Sequence, residues 1–178
     1  GTGQVRRDGG KTWTKAGGAG MPGMPRPDFW VTREEAGHHA RGTAYVTLTG
    51  HRMPNYDPFV YKTTDYGKTW TKITNGIPNA VPGNPMYVIK EDLVNPNLLF
   101  AGSEFTAFYS LDAGQTWKRL NETGGPADRQ LPTVAVHAVE IQARDNDLVA
   151  GTHGRGLWIL GDIRPLQQMT QQVQQSEA

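Results

Sequence analysis

Short runs in which hydrophobic and polar residues alternate recur along the chain, and turn-forming residues separate them. Alternation with a period of two places successive side chains on opposite faces of a β-strand. Glycine, proline, asparagine and aspartate between such runs are typical of turns. The pattern predicts strands at 44–49, 59–62, 86–90, 98–102, 107–110, 136–141, 147–152 and 156–160. We therefore expect an all-β protein built of short strands.

The composition agrees with this expectation and excludes several classes of function. The 178 residues include 22 glycines and 12 prolines, which suits a chain with many turns. A formal net charge of +1 gives no sign of the strongly basic surface that binds nucleic acid. No run approaches the roughly 20 apolar residues of a membrane helix, and no cysteine is available for a disulfide or a thiolate metal site. We expect no nucleic-acid partner, no membrane partner, no metal and no cofactor.

A short motif, x-x-Asp-x-Gly-x-Thr-Trp, occurs three times, at residues 6–13, 63–70 and 110–117. The aspartates of successive copies lie 57 and 47 residues apart. This spacing is close to the roughly 40–50 residues of one four-stranded blade in a β-propeller. The simplest interpretation is one motif in each blade.

The chemistry of the motif explains its pattern. The aspartate can accept hydrogen bonds from backbone N–H groups further round a turn, and the glycine can adopt a positive φ at little steric cost. The tryptophan then anchors the turn to its blade at the start of the next strand. We predict structural rather than catalytic roles for all nine residues: Asp8, Gly10, Trp13, Asp65, Gly67, Trp70, Asp112, Gly114 and Trp117.

The strands and motifs divide the chain into blades that do not make a complete ring. We predict a propeller segment at 1–164, with a blade tail at 3–16, whole blades at 29–75 and 84–120, an incomplete blade at 133–161, and a polar, Gln-rich tail or linker at 165–178. Propellers usually have about 4–8 blades, because closure protects their strand edges. We expect this chain to be a fragment whose missing partner is the rest of a parent propeller or a second copy of the chain.

The three motifs resemble the Asp-box, or bacterial neuraminidase (BNR), repeat of sialidases, tandem-propeller xyloglucanases and the sortilin ten-bladed domain. The first copy departs from that repeat, since Arg6 stands where serine or threonine is usual. Residues 61–70, 95–105 and 151–160 resemble large bacterial proteins labelled glycosyl hydrolase with sortilin-like repeats. The resemblance implies a β-propeller with a glycan-related role and a secreted or periplasmic location. It supports the fold far more than an activity, because one fold hosts many functions.

Strand order indicates which face of such a propeller would be functional. The motif turns join the third and fourth strands of a blade, so the turns between second and third strands lie at the opposite face. Those turns carry ionisable side chains suited to a carbohydrate ligand. We predict Glu104 and His153 as an acid/base pair, and His51, Arg52, Arg155 and a sugar-stacking Trp30 as binding residues. The alternatives are solvated loops or links between blades, and for Trp30 a buried strand position.

Two other groups of polar residues are weaker candidates. Glu34, Glu35, His38 and His39 could suggest paired carboxylates or metal ligands, but adjacent residues of an extended segment point to opposite sides. We predict a solvated loop there. Residues 121–123 form a glycosylation sequon only in an exported eukaryotic protein.

Two classes of function remain open from the sequence. A glycoside hydrolase needs two carboxyl groups about 5–9.5 Å apart, and the arginine triad and Tyr–Glu pair of a sialidase cannot be mapped onto this chain. A non-catalytic propeller that presents a binding face for a glycan or a protein needs no such set. We favour a glycan-related binding or structural segment, with hydrolysis a property of a longer parent. The alternative is a protein-interaction scaffold.

Overall fold

The computed structural model describes residues 3–6, 8, 10–16, 23–24, 29–52, 54–79, 83–120 and 130–169. These residues form four antiparallel sheets in which sequential strands are hydrogen-bonded neighbours. The predicted sequon at 121–123 lies outside the described residues. None of the helices among the described residues is long and apolar enough to span a lipid bilayer.

The sheets follow one another along the chain as blades. The first is a pair, β1 (Gln4–Val5) and β2 (Thr14–Lys15). The second contains β3 (Trp30–Ala36), β4 (Ala44–Gly50), β5 (Asn55–Thr63) and β6 (Thr71–Lys72), and the third contains β7 (Met86–Glu91), β8 (Leu99–Ser103), β9 (Ala107–Ser110) and β10 (Lys118–Arg119). The fourth has three strands, β11 (Val136–Gln142), β12 (Asp147–Thr152) and β13 (Leu157–Leu160). The predicted fold class, a partial β-propeller of four-stranded blades, is confirmed.

The hydrophobic core lies between the sheets. Because adjacent residues of a strand point to opposite faces, Tyr45 and Val60 pack with Phe108 towards the third sheet, whereas Val46 and Tyr61 belong to a separate cluster on the other face. A further cluster fills the space between the third and fourth sheets; its members include Val88, Phe100, Val139 and Leu148. Each four-stranded sheet is therefore buried on both faces.

The first strand of each larger sheet contains a β-bulge near its start. The register shifts between Val31 and Arg33, between Met86 and Val88, and between Val136 and Ala138. The residues at the bulges are Thr32, Tyr87 and His137. A bulge re-aims a side chain and often lies beside a functional site.

The second sheet is taller than the third. Asp65 lies 21 residues after Ala44, whereas Asp112 lies only 13 residues after Leu99. This interval contains the second and third strands of each blade, so β4 and β5 form a longer hairpin than β8 and β9. The hairpin extends away from the Asp-box turns.

Segment 164–168 forms a short helix, α1 (Arg164–Gln168), so the predicted boundary between residues 164 and 165 falls inside it. Ile163 and Gln167 are buried, and the Gln167 amide donates to Asp92 Oδ1 at 2.9 Å. Asn95 in turn donates to the Gln167 carbonyl at 2.9 Å. The start of the predicted polar tail is thus docked onto the third blade.

Large apolar side chains are exposed at both ends of the arc. Trp13 is 57% exposed at the first end, and Leu157 and Ile159 are 74% and 65% exposed at the other. In a closed ring these positions face neighbouring blades, and burial of such side chains stabilises by roughly 1.5–3 kcal/mol each. The described chain is therefore an open arc.

Candidate functional site

The Asp-box turns use their aspartates entirely within the turn. Asp65 accepts from the Thr69 N–H at 2.9 Å and the Thr69 hydroxyl at 2.7 Å, and it also accepts from the Thr63 hydroxyl at 2.8 Å. These hydrogen bonds, led by that from the Thr69 hydroxyl, lower the pKa of Asp65 to about 2. Gly67 N–H donates to Thr63 Oγ1 at 2.9 Å, and Gly67 has a φ of +79°.

The turn at Asp112 repeats this geometry. Thr116 donates through its N–H at 2.8 Å and its hydroxyl at 2.5 Å, and Ser110 donates its hydroxyl at 2.7 Å. The turn at Asp8 keeps the two bonds from Thr12, at 3.0 and 2.6 Å. Arg6 cannot repeat the serine or threonine contact, and its guanidinium instead lies 5.3 Å from the Trp13 ring centroid.

Two Asp-box tryptophans connect one blade to the next. The indole N–H of Trp70 donates to the carbonyl of Ala16 at 2.7 Å, and that of Trp117 donates to the carbonyl of Ile73 at 2.8 Å. Each acceptor lies three residues after the tryptophan of the preceding box. The box tryptophan therefore fixes the distance between adjacent blades as well as closing its own turn.

Of the predicted binding residues, His51, Arg52 and Arg155 lie in turns between second and third strands, at the opposite face, and Trp30 is the first residue of β3. Trp30, Thr49, His51, Arg52 and Tyr87 line a cleft of about 250 Å³ there. The Arg52 guanidinium carbon lies 4.0 Å from the Trp30 ring centroid, which is a cation–π contact. Trp30 is 50% exposed, so the alternative of a buried strand tryptophan is wrong.

Tyr87 continues this cleft into the next blade. Its hydroxyl donates to Glu104 Oε2, and its ring lies 4.2 Å from that of His137, measured between centroids. The His137 ring stacks on His153 at 5.5 Å. Burial, followed by the hydrogen bond to Glu104, raises the pKa of Tyr87, so the phenol remains a neutral donor. We call Trp30, Arg52, Tyr87, Glu104, His137 and His153 the strip.

The structure brings Glu104 and His153 into the strip but not into contact as an acid/base pair. Among the described residues, the Glu104 carboxylate is bonded by Tyr87 and the His153 ring is stacked on His137. Tyr87 and His137 are not among the site residues predicted from the sequence. Both occupy the bulge of a first strand, and that common position could have been found only with the strand register.

The two remaining predicted binding residues border the strip. The His51 ring packs edge-on against Tyr56 at 5.3 Å. Arg155 lies in the β12–β13 turn, where its carbonyl accepts from the Trp158 indole at 3.1 Å and its side chain is exposed. The flanking glycines, Gly154 and Gly156, have φ values of +84° and +72°. This turn can carry an arginine that projects into solvent.

Of the four residues predicted to form a solvated loop, His38 and His39 do lie in the exposed turn after β3, whereas Glu34 and Glu35 are part of β3 itself. Glu35 lies on β3, its side chain is 9% exposed, and it accepts from Lys90 at 3.2 Å. Lys90 also contacts Glu140 at 3.0 Å, and Glu140 accepts from Arg33 at 2.6 Å. The prediction for Glu35 was wrong because this ion-pair chain joins first strands of three blades that are far apart in sequence.

The ion-pair chain shifts the titration of its members. Burial alone would lower the pKa of Lys90, but hydrogen bonds to Glu140 and Glu35 outweigh it and raise the pKa. Burial opposes ionisation of Glu140 too, yet the contacts with Lys90 and Arg33 lower its pKa. No group of three potential metal ligands is arranged to hold an ion within the described ranges.

A larger cavity, of about 480 Å³, lies between the first strand pair and the second sheet, with Val5, Val31 and Tyr66 in its wall. The pair β1–β2 carries an Asp-box turn and so occupies the positions of third and fourth strands. The cavity adjoins the place where first and second strands of that blade would pack. We attribute it to the open end of the arc rather than to a binding site.

Comparisons with known proteins agree with the fold. Residues 108–119 match the family model described as BNR/Asp-box repeat. No curated protein sequence matches the chain.

Three solved structures share the fold at low sequence identity. The GH74 xyloglucanase from Xanthomonas campestris is 20% identical with a TM-score of 0.61, over 88% of this chain and 23% of that one. A structure of YCF48 bound to D1 peptide is 18% identical with a TM-score of 0.55, over 85% of this chain and 41% of that one. An ancestral GH74 enzyme is 16% identical with a TM-score of 0.53, over 78% and 14%.

The chain spans less than half the length of each of these proteins. At such identities the likeness establishes the fold alone. Together with the matched repeat and the geometry of three Asp-box turns, it shows that the described residues form part of a β-propeller fold that contains BNR/Asp-box repeats.

Proposed function

We propose that this chain is the part of a β-propeller that binds a glycan in the cleft between Trp30 and Tyr87. The observation that carries the proposal is the half-exposed indole of Trp30, held by Arg52 at the wall of that cleft. An aromatic ring offers a flat apolar surface, and nearby polar groups can orient a ligand by hydrogen bonds. At about 250 Å³ the cleft is smaller than a drug-sized pocket and suits a single sugar ring.

Binding is better supported than hydrolysis within this chain. A glycosidase needs two carboxyl groups on either side of the scissile bond. Glu104 is the one carboxylate of the strip, and Tyr87 already donates to it. Any hydrolytic step would belong to a longer protein of which this chain supplies one face.

The fold comparisons are consistent with this proposal. A xyloglucanase acts on a glycan, and its fold resembles that of this chain. A glycan-binding role also suits the secreted or periplasmic location implied by the Asp-box resemblance. YCF48, described in complex with a peptide, represents the alternative of a protein-interaction scaffold.

Calorimetric titration with a xyloglucan oligosaccharide and an acidic oligosaccharide tests the proposal. We expect at least one of them to bind, and Trp30→Ala to weaken that binding by about tenfold or more, the effect of one lost aromatic contact of roughly 1.5 kcal/mol. Trp13→Ala is the matched control, because Trp13 is equally exposed but lies at the Asp-box end. Unchanged binding by the Trp30 variant would disprove the site, and binding only to members of a peptide array would favour the scaffold.

A further inference from the structure

Two arginines lie at the face opposite the Asp-box turns. Among the described residues, neither Arg52 nor Arg155 has a carboxylate within ion-pair distance; Arg52 contacts the Trp30 ring, and the Arg155 side chain is exposed. Four basic residues elsewhere are ion-paired: Arg33 and Lys90 with Glu140, Arg144 with Asp145, and Arg164 with Asp162. Arg52 in the strip and Arg155 at its border are therefore available to bind an anion.

The other groups along the strip add hydrogen-bond donors. His137 and His153 stack on each other, and His51 lies at the edge of the cleft. An imidazole carries at least one N–H donor in either protonation state. Glu104, the one carboxylate of the strip, accepts a hydrogen bond from Tyr87. Two fixed positive charges therefore oppose one negative charge.

The strip is also longer than a single sugar ring. The cleft at Trp30 shares Tyr87 with the stack that continues through His137 to His153. Arg52 stands at one end of this series and Arg155, two residues after His153, at the other. A ligand that used both arginines would lie across three blades.

We propose that the ligand is an acidic oligosaccharide containing uronic acids, an inference that rests on the proposed function and specifies its ligand class. Sugar rings lie against Trp30 and the Tyr87–His137 stack, while ring carboxylates accept from Arg52 and Arg155. A guanidinium matches the planar geometry of a carboxylate through two parallel hydrogen bonds. A neutral glycan of the same shape would leave both guanidiniums hydrated and would gain nothing from them.

The test compares an oligogalacturonate with its fully methyl-esterified form, which has the same rings but no charge. We expect the acid to bind the native chain about tenfold tighter at low ionic strength. The difference should shrink in about 0.5 M salt, where the screening length falls to a few ångströms. Arg155→Gln should weaken binding of the acid about fivefold more than binding of the ester. Arg41→Gln, which removes an exposed arginine at the Asp-box end, should affect neither.

The outcomes separate this inference from the proposed function. Equal affinity for acid and ester, or tighter binding of the ester, would overturn the inference while the glycan site stands. Binding of inorganic polyphosphate as tight as that of the acid would also overturn it, because recognition would then be of charge without sugar. Failure of the acid, the ester and xyloglucan alike to bind would overturn the proposed function and the inference with it.

Discussion

The indole nitrogen of Trp117 donates a hydrogen bond to the carbonyl of Ile73, 2.8 Å away in the preceding blade. Trp117 is 3% exposed and belongs to the cluster that also contains Tyr45, Val60 and Phe108. One side chain therefore contributes both apolar burial and a directed bond across the interface between two blades.

Replacing Trp117 with phenylalanine should lower the free energy of unfolding by about 1–3 kcal/mol. The change deletes a buried hydrogen bond, worth about 1 kcal/mol net, and leaves the Ile73 carbonyl without its donor and a small gap in the core. Chemical denaturation of the chain measures the effect. Trp13→Phe is the control, and since Trp13 is 57% exposed we expect a change within about 0.5 kcal/mol. Equal losses for the two variants would contradict this role for the interface bond.

Replacing Lys90 with methionine should destabilise the chain by about 2–3 kcal/mol. The variant keeps most of the side-chain volume but leaves the buried carboxylate of Glu35 with the His38 imidazole as its one remaining ion-pair partner among the described residues. Breaking a buried pair is far costlier than losing a surface one. Arg144→Gln removes a pair in which both side chains are mostly exposed, and we expect almost no change. The measurement is the midpoint temperature of thermal unfolding for both variants under identical conditions. Similar midpoints for the two variants would show that the ion-pair chain does not stabilise the fold.

Asp65 should remain ionised down to about pH 2, because the hydrogen bonds from Thr69 lower its pKa from the usual 3.8. A pKa lowered by folding contributes stability that is fully present above about pH 4 and is lost as pH falls towards 2. NMR titration of the side-chain carboxyl carbon measures this midpoint. Thr69→Val removes the hydroxyl donor and should move the midpoint up towards 3.8. A titration midpoint near 3.8 in the native chain would show that the hydrogen bonds of the turn do not stabilise the ionised carboxylate of Asp65.

The fold could be predicted from the sequence because its decisive signals are local. An Asp-box turn closes through contacts within about six residues, as between Asp112 and Thr116. Alternation within a strand is equally local, and the repeat spacing then supplies the number of blades. The fold followed from these signals without any long-range contact.

The site was harder to predict because it depends on contacts between blades. The sequence predicts a solvated loop at Glu35, yet Glu35 forms an ion pair with Lys90, which lies 55 positions later in the chain. The contact between the Tyr87 and His137 rings likewise depends on two bulges, because each bulge changes which residues of a first strand face outward. Turn composition alone indicated the face opposite the Asp-box turns but not which side chains meet there.

The extra length of the β4–β5 hairpin gives the two faces of the arc different freedom to vary. The Asp-box face is held by tryptophan bonds that always reach an acceptor three residues beyond the preceding box, so an insertion there would break a join between blades. At the other face the hairpins differ in height, and His51 and Arg52 stand on the taller one, where the Tyr56 carbonyl accepts from the Asn84 N–H at 2.7 Å. Changes in hairpin length can therefore reshape the contour of that face, blade by blade, without disturbing the tryptophan bonds at the Asp-box end.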